Sequence, residues 1–457
     1  MDLPALSQLL RQKEISPKEL VEQSLNNIKM NNPMYNAFIT VLEKEAFAHA
    51  EIAEKEIDKG AIKSPLHGIP VAIKDVIYTK GIRTTMGSEI FEHFVPSYHA
   101  TVVQKLIEAG AIIIGKTHTH EFAFGPTGDR SLVGPCRNPY NPDKMTGGSS
   151  SGSAAAIAAN MVSVAIGTDT GGSVRIPASA CGVVGMKPTF GLISAYGIHP
   201  TAYSLDHPGP MTNTVKDNAI MLNIVSGYDK KDSHSLSKSK EDYTRLLREN
   251  IKGKIIGLPS YFFQQIDRSV EEIMGHVIDV YTNLGAVVKE VELAKIDEIS
   301  DHQVTTIQAE AYAIHNKNME LNRSDFDHEL AERLQASKDV QAYQYVIAKR
   351  MKKQLIHAFN EIFEDVDVLL TPTLPIIPPS IDQREIRIGE HSEPVRSALL
   401  RLTAPINYTG NPGISLPSGI TKEGLPVGFQ LIGKHEKEAL IYQIAYAYEQ
   451  EMRKAYK

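Results

Sequence analysis

Short apolar runs alternate with helix-patterned stretches along this chain, and that alternation limits the fold more than any other feature. "GIPVAIKDVIY" (residues 68–78) and "GAIIIGKT" (110–117) are rich in β-branched residues and bounded by glycine or proline, as buried strands are. Similar runs recur in "VSVAIGTDTGGSVRIPASA" (162–180), "GKIIGLP" (253–259), "AVVKEVEL" (286–293) and "VDVLLTPTLP" (366–375). Helical stretches lie between them. Ser16-Pro17 with Glu19 spells a helix start within residues 1–60. "EKEAFAHAEIAEKEIDKG" repeats alanine and isoleucine at helical spacing and stops at Gly60. Helices are also read at residues 101–110, in "GSAAAIAANM", at 269–284, over most of 303–364 and at the C-terminal end. The pattern predicts an α/β protein. Two late runs, "GISLPSGIT" and "LPVGFQLIG", can pair antiparallel, so the expected sheet is mixed. With no internal repeat or low-complexity linker, one large domain carrying a peripheral insertion is expected, and "KDSHSLSKSK" (231–240) reads as a surface loop.

Composition narrows the function. The 457 residues are 42% hydrophobic and 22% charged, with a net charge of −6. No basic stripe marks a nucleic-acid surface, so no nucleic-acid partner is expected. Two cysteines, Cys136 and Cys181, fit a reducing compartment rather than a disulfide scaffold. The first 20 residues lack a signal-peptide pattern, and no apolar run reaches the ~18 residues a membrane span needs. A cytoplasmic location without membrane association is expected.

Three local motifs match known chemistry and are set aside on physical grounds. Gly110 to Thr117 fits the P-loop spacing G-x-x-x-x-G-K-[ST], but its x positions are Ala-Ile-Ile-Ile, the composition of a core strand. His118 and His120 resemble a metal pair but lack a third ligand in the pattern, so no metal is expected. Gly148-Ser149-Ser150-Ser151-Gly152 fits the nucleophile elbow G-x-S-x-G, which would select Ser150. That elbow needs a preceding strand. The prolines and asparagines of "RNPYNPDKMTG" argue against one.

A second glycine–serine segment follows an apolar run: Gly167-Thr-Asp-Thr-Gly-Gly-Ser173-Val-Arg175-Ile-Pro177. Successive glycines let several backbone N–H groups converge beside a hydroxyl, the arrangement of an oxyanion hole. The segment fits either a nucleophilic Ser173 or a tight turn with a helix-capping serine. A serine nucleophile needs a base. Lys74 lies in an apolar strand, where burial would favour its neutral form. The alternative is a lysine paired with Asp75, although neighbours on a strand face opposite sides.

These segments, with "SLDHPGPMT" and "NYTGNPGISLPSGI…GLPVGFQLIG", closely resemble the amidase signature family over nearly the whole chain. The resemblance implies a large mixed β-sheet covered by helices on both faces. It implies a single domain over residues 1–457, with residues 1–60 an N-terminal helical segment and about 225–365 a more variable substrate-side region. Motif by motif, it implies a Ser–Ser–Lys triad with Lys74 as base, Ser149 as relay behind a cis peptide, and Ser173 as nucleophile. The backbone N–H groups of Thr170, Gly171, Gly172 and Ser173 match its oxyanion donors. Ser150, Asp169 and Arg175 would support the site. Phe124, Gly125, Thr127 and Gly128 would border the substrate, with Tyr203, Phe262 and Tyr312 as looser candidates. Ser151 departs from the family, where glycine is common. No cofactor is implied, and a homodimer is a common assembly.

Two functions follow from the resemblance. One is a free-standing amidase cleaving a small or aryl amide through a serine acyl-enzyme. The alternative is the glutaminase (A) subunit of a tRNA-dependent amidotransferase, in which an arginine on a late helix holds the glutamine carboxylate. "RLTAPINYTGNPGISLP" resembles the general amidases, so the first is the expectation, with a small-molecule amide as substrate and no nucleic-acid partner. For the second, "YQYVIAKRMKKQL" offers Lys349, Arg350 and Lys352.

Overall fold

The computed structural model describes residues 1–239 and 241–455. Eleven strands form one mixed sheet: β1 (Phe38–Val41), β2 (Pro70–Lys74), β3 (Ile112–Thr117), β4 (Val164–Asp169), β5 (Val184–Lys187), β6 (His207–Thr212), β7 (Ile255–Pro259), β8 (Val287–Val291), β9 (Val368–Pro372), β10 (Gly413–Ile420) and β11 (Pro426–Gly433). Their order across the sheet is β1-β3-β2-β4-β6-β5-β10-β11-β9-β7-β8. β2 is parallel to both β3 and β4, and β7 is parallel to both β8 and β9. The other pairings are antiparallel, including the expected β10–β11 pair. This is the large mixed α/β sheet that the sequence implied.

Local chemistry explains the elements. Ser16 caps the helix Pro17–Tyr35, and Glu19 returns the bond to the Ser16 N–H, completing a capping box. The strand Ile112–Thr117 is buried throughout, so the P-loop-like spacing belongs to the core. The run 231–239 is irregular, as expected; Lys240 of the same run lies outside the described residues. The helix Glu438–Ala455 packs on the sheet at the C-terminal end.

Several strands depart from the sequence reading: β1 interrupts residues 1–60, read as helical, and β5 and the ribbon of Glu385–Ile388 with His391–Pro394 were not read. Two more involve prolines. Asn141–Met145 is a strand after all, paired antiparallel with Arg137–Asn138 in a separate two-stranded ribbon. Proline is tolerated there because a ribbon this short leaves donor positions outside the ladder. β6 was not anticipated, since "HPGPMT" carries two prolines. It pairs with β4 from Val164↔Thr212 to Asp169↔His207. The Pro210 carbonyl accepts from Asn218 Nδ2 at 3.0 Å and so faces away from that ladder. The missing proline N–H lies on the same side of the strand, and no ladder bond to β4 is lost.

Candidate active site

Parallel pairing sets up the site. β2 and β4 run side by side in the register Ile73↔Ile166, so their carboxyl ends deliver Lys74 and Thr168–Asp169 to one place. Lys74 is fully buried. Its Nζ donates to Ser149 Oγ at 2.7 Å and to Thr168 Oγ1 at 2.7 Å. Asp75 turns to the opposite side and pairs with Lys116 at 3.1 Å. Burial pushes the Lys74 ammonium down to about 7, against the weaker opposing pull of Asp169 and Asp206. At neutral pH a large fraction of Lys74 is therefore unprotonated and can accept a proton.

The two glycine–serine segments lie against each other. Ser150 N donates to Ser173 O at 3.1 Å. The Gly148–Ser149 peptide is cis. Ser150 Oγ donates to Thr168 O at 3.0 Å and accepts from Thr168 N at 3.1 Å, which leaves it no role as a free nucleophile. Ser173 is 5% exposed.

Asp169 organises the turn before Ser173. It accepts from Gly172 N at 2.7 Å, from Val174 N at 3.1 Å and from Arg175 Nε at 3.1 Å. Burial pushes its carboxyl up, but Arg175, Lys187 and Asn407 overcome that and hold it well below the usual carboxylate range. Arg175 is anchored in turn by Gln430 Oε1 at 2.9 Å and Asn407 Oδ1 at 2.6 Å. One matched oxyanion donor is therefore already spent: the Gly172 N–H points at Asp169. Among the described residues, the N–H groups of Thr170, Gly171 and Ser173 meet no protein acceptor. Gly172 has φ +131°, and a β-carbon there would collide with Thr403 Oγ1 at 2.1 Å, so only glycine fits.

Several partners went unnoticed in the sequence. Thr168 holds Lys74. Asp206 accepts from Thr170 Oγ1 at 2.6 Å, and burial pushes its carboxyl up to about 6. Thr403 Oγ1 donates to Gly171 O at 2.7 Å. Asp206 sits in "SLDHPGPMT", one of the family-like segments, which was the available signal. Thr403, Asn407 and Gln430 arrive from more than 200 residues away; they too stand in quoted family-like segments, but nothing local ties them to this turn.

A cavity of about 440 Å³ opens beside this turn, lined by Phe124, Arg333, Arg396 and Leu400 among others. A β-carbon on Gly171 would stand 3.1 Å from Leu400 Cδ2, so Leu400 touches both the turn and the cavity. Phe124 lines it, and a β-carbon on Gly148 would lie 3.2 Å from Gly125 O. Thr127 sits further back, its hydroxyl 3.4 Å from His120 Nδ1. Of the looser candidates, Phe262 is core, Tyr203 is 58% exposed and Tyr312 does not line the cavity. The cationic residues read for a carboxylate also differ. Lys352 donates to Ser204 O at 2.8 Å and Lys349 faces Glu310 at 3.7 Å, while the cavity arginines come from other helices. His118 is held by Ser151 Oγ and Gly134 O, both at 2.8 Å, and no metal-holding cluster exists among the described residues. Nor, among those residues, is any helix long and apolar enough to cross a membrane.

A family model named Amidase matches residues 19–442. The A subunit of the Glutamyl-tRNA(Gln) amidotransferase of Geotalea daltonii is 41% identical over 96% of this chain and 95% of its own. A solved structure from a vestigial protein complex, described as revealing the origins of an s-triazine catabolic enzyme, superposes with a TM-score of 0.94 at 29% identity. The match covers 99% of this chain and 98% of that one. The corresponding A subunit of Thermotoga maritima gives 0.80 at 36% identity, over 95% and 91%. These relatives correct two expectations. Two of them bear the name of a subunit of a Glutamyl-tRNA(Gln) amidotransferase, which overturns the expectation of no nucleic-acid partner. They also favour the amidotransferase branch over the free-standing one. A match over most of the chain, joined to this fold, makes the protein an enzyme of the amidase signature family, acting on carbon–nitrogen amide bonds.

Proposed function

We propose that the chain hydrolyses a carboxamide through an acyl-enzyme on Ser173. The observation that carries this is Lys74: a buried amine bonded only to hydroxyl and carbonyl oxygens, with no carboxylate in contact. Neutral Lys74 takes the Ser149 proton, and Ser149 takes the Ser173 proton as Ser173 Oγ bonds to the amide carbon. The N–H groups of Thr170, Gly171 and Ser173 stabilise the tetrahedral oxyanion. Its collapse breaks the C–N bond, and the proton held by Lys74 returns through Ser149 to the leaving nitrogen. Water, deprotonated by the same relay, then attacks the ester. The products are a carboxylic acid and ammonia or an amine, and Ser173 is restored.

The relatives support a more specific reading: the glutaminase component of an amidotransferase, releasing ammonia from the glutamine side chain for transfer to a tRNA-bound substrate. A second reading is the same chemistry on a different small, acidic amide. It is favoured by two of the cavity's arginines, Arg333 and Arg396, and by the high structural likeness to the s-triazine-related protein. Ammonia release from glutamine, measured with and without companion subunits, separates the two. Intact mass spectrometry of acid-quenched turnover mixtures tests the shared chemistry. An acyl adduct on Ser173 is expected, and Ser173→Ala should lose both adduct and turnover. Turnover retained by Ser173→Ala would falsify the mechanism.

A further inference from the structure

The cavity beside Gly171 has an unusual charge. Arg333, on the helix His328–Ser337, and Arg396, on the helix Val395–Arg401, both stand against the Phe124 ring, with guanidinium carbons 5.7 and 5.6 Å from its centre. Arg333 donates to Phe124 O at 3.2 Å and lies 3.7 Å from Glu329. Glu329 is already engaged by Arg130 at 2.9 Å and Arg384 at 2.8 Å. Arg396 makes no hydrogen bond or ion pair to the described residues. Glu393, the only carboxylate lining the cavity among the described residues, pairs with Arg401 at 3.3 Å. The lining thus holds three arginines and one acid. Burial and the neighbouring Arg333 cation both disfavour the Arg396 charge, against a smaller opposing pull from Glu329. A guanidinium does not give up its proton in a protein, so the penalty is relieved by an anion.

We infer that Arg333 and Arg396 seat a carboxylate of the substrate, and that the pocket selects a short-chain acidic amide, such as a dicarboxylic acid monoamide, over an amide whose charge is balanced by an ammonium. Arg396 is the specificity-determining residue. The carboxamide lies at Ser173 and the carboxylate at the arginines, with Phe124 and Leu400 covering the chain between them. A bidentate pairing with a planar carboxylate is what a guanidinium offers best. An amino acid such as glutamine brings an ammonium into a pocket whose one acid is already paired. This inference rests on amide hydrolysis at Ser173, which both readings share, and it favours the second.

The test uses the full chain with Ser173→Ala, so that binding is read without turnover. Calorimetric titration with glutaramate, glutamine and glutaramide compares an anion, a zwitterion and a neutral amide of similar length. Glutaramate is expected to bind at least tenfold more tightly than either of the others. Adding Arg396→Met should weaken glutaramate by tenfold or more, and Arg396→Lys should restore part of that loss. Glutamine binding as tightly as glutaramate, no glutaramate binding, or indifference to Arg396→Met would each overturn the inference. Labelling of wild-type Ser173 by a fluorophosphonate, read by intact mass, reports separately on the catalytic reading. Labelling without glutaramate selectivity removes only the pocket assignment; no labelling removes the hydrolysis itself.

Discussion

Lys74 and Lys116 sit on neighbouring parallel strands, in the registers Lys74↔Thr117 and Ile73↔Lys116. Both are fully buried, and burial lowers both ammonium groups. Their partners differ. Lys116 faces the Asp75 carboxylate at 3.1 Å, Thr84 Oγ1 at 2.7 Å and Ile77 O at 2.9 Å. Lys74 faces two hydroxyls and, at 3.5 Å, a carbonyl. An opposite charge in contact returns the stabilisation that burial removes, and the lysine becomes a strut. Hydroxyls return less, so the amine stays near neutrality and can exchange a proton. Burial alone therefore does not make a base; the identity of the contacting oxygen does.

The sharpest way to break this comparison is to truncate each lysine. Lys74→Met is expected to lower kcat by on the order of 10³-fold, the range of a lost general base, in steady-state assays. Its thermal midpoint should hold or rise near pH 7.5. A lysine whose folded pKa is depressed makes the unfolded chain the better proton binder between about 7 and its ordinary value of 10.5, so its removal lifts a penalty there. Lys116→Met should do the reverse. It leaves Asp75 buried without its cation, at a cost of about 3 kcal/mol in denaturant unfolding, while kcat of the folded fraction stays within about threefold. Equal activity losses in the two variants would erase the distinction.

Two pH measurements sharpen it. The rate constant kcat/KM should rise tenfold per unit below about pH 7 and level off above, as Lys74 loses its proton. A flat profile from pH 6 to 9 would count against Lys74 as base. The smallest effect is expected from Thr168→Val. Thr168 Oγ1 accepts a bond from the Lys74 ammonium and so favours its charged form. Without it, the ascending limb should move to lower pH by less than about one unit.

How much of this was legible varies by residue. Lys74, Ser149 and Ser173 stand in segments whose glycines and apolar flanks are readable locally. Lys74 was set apart from Asp75 by strand alternation alone, and the structure keeps them apart. The Asn141–Met145 strand was excluded by counting prolines, which misjudges a short ribbon. Strand β6 was not read from its prolines either, because the side on which a proline nitrogen falls depends on the neighbouring strand. Arg333 and Arg396 were not singled out, since nothing local distinguishes Arg333 from Arg350.

By itself, the sequence determined the alternation of strands and helices, the burial of Lys74 and the two glycine–serine turns. These depend on residues a few positions apart, whose periodicity and side-chain chemistry act locally. Only the tertiary structure decided which oxygens meet Lys74, that Asn407 and Gln430 anchor Arg175, and that Arg333 and Arg396 share one wall. Those pairings join groups tens to hundreds of residues apart, and their charge states follow from the burial and neighbours that packing supplies.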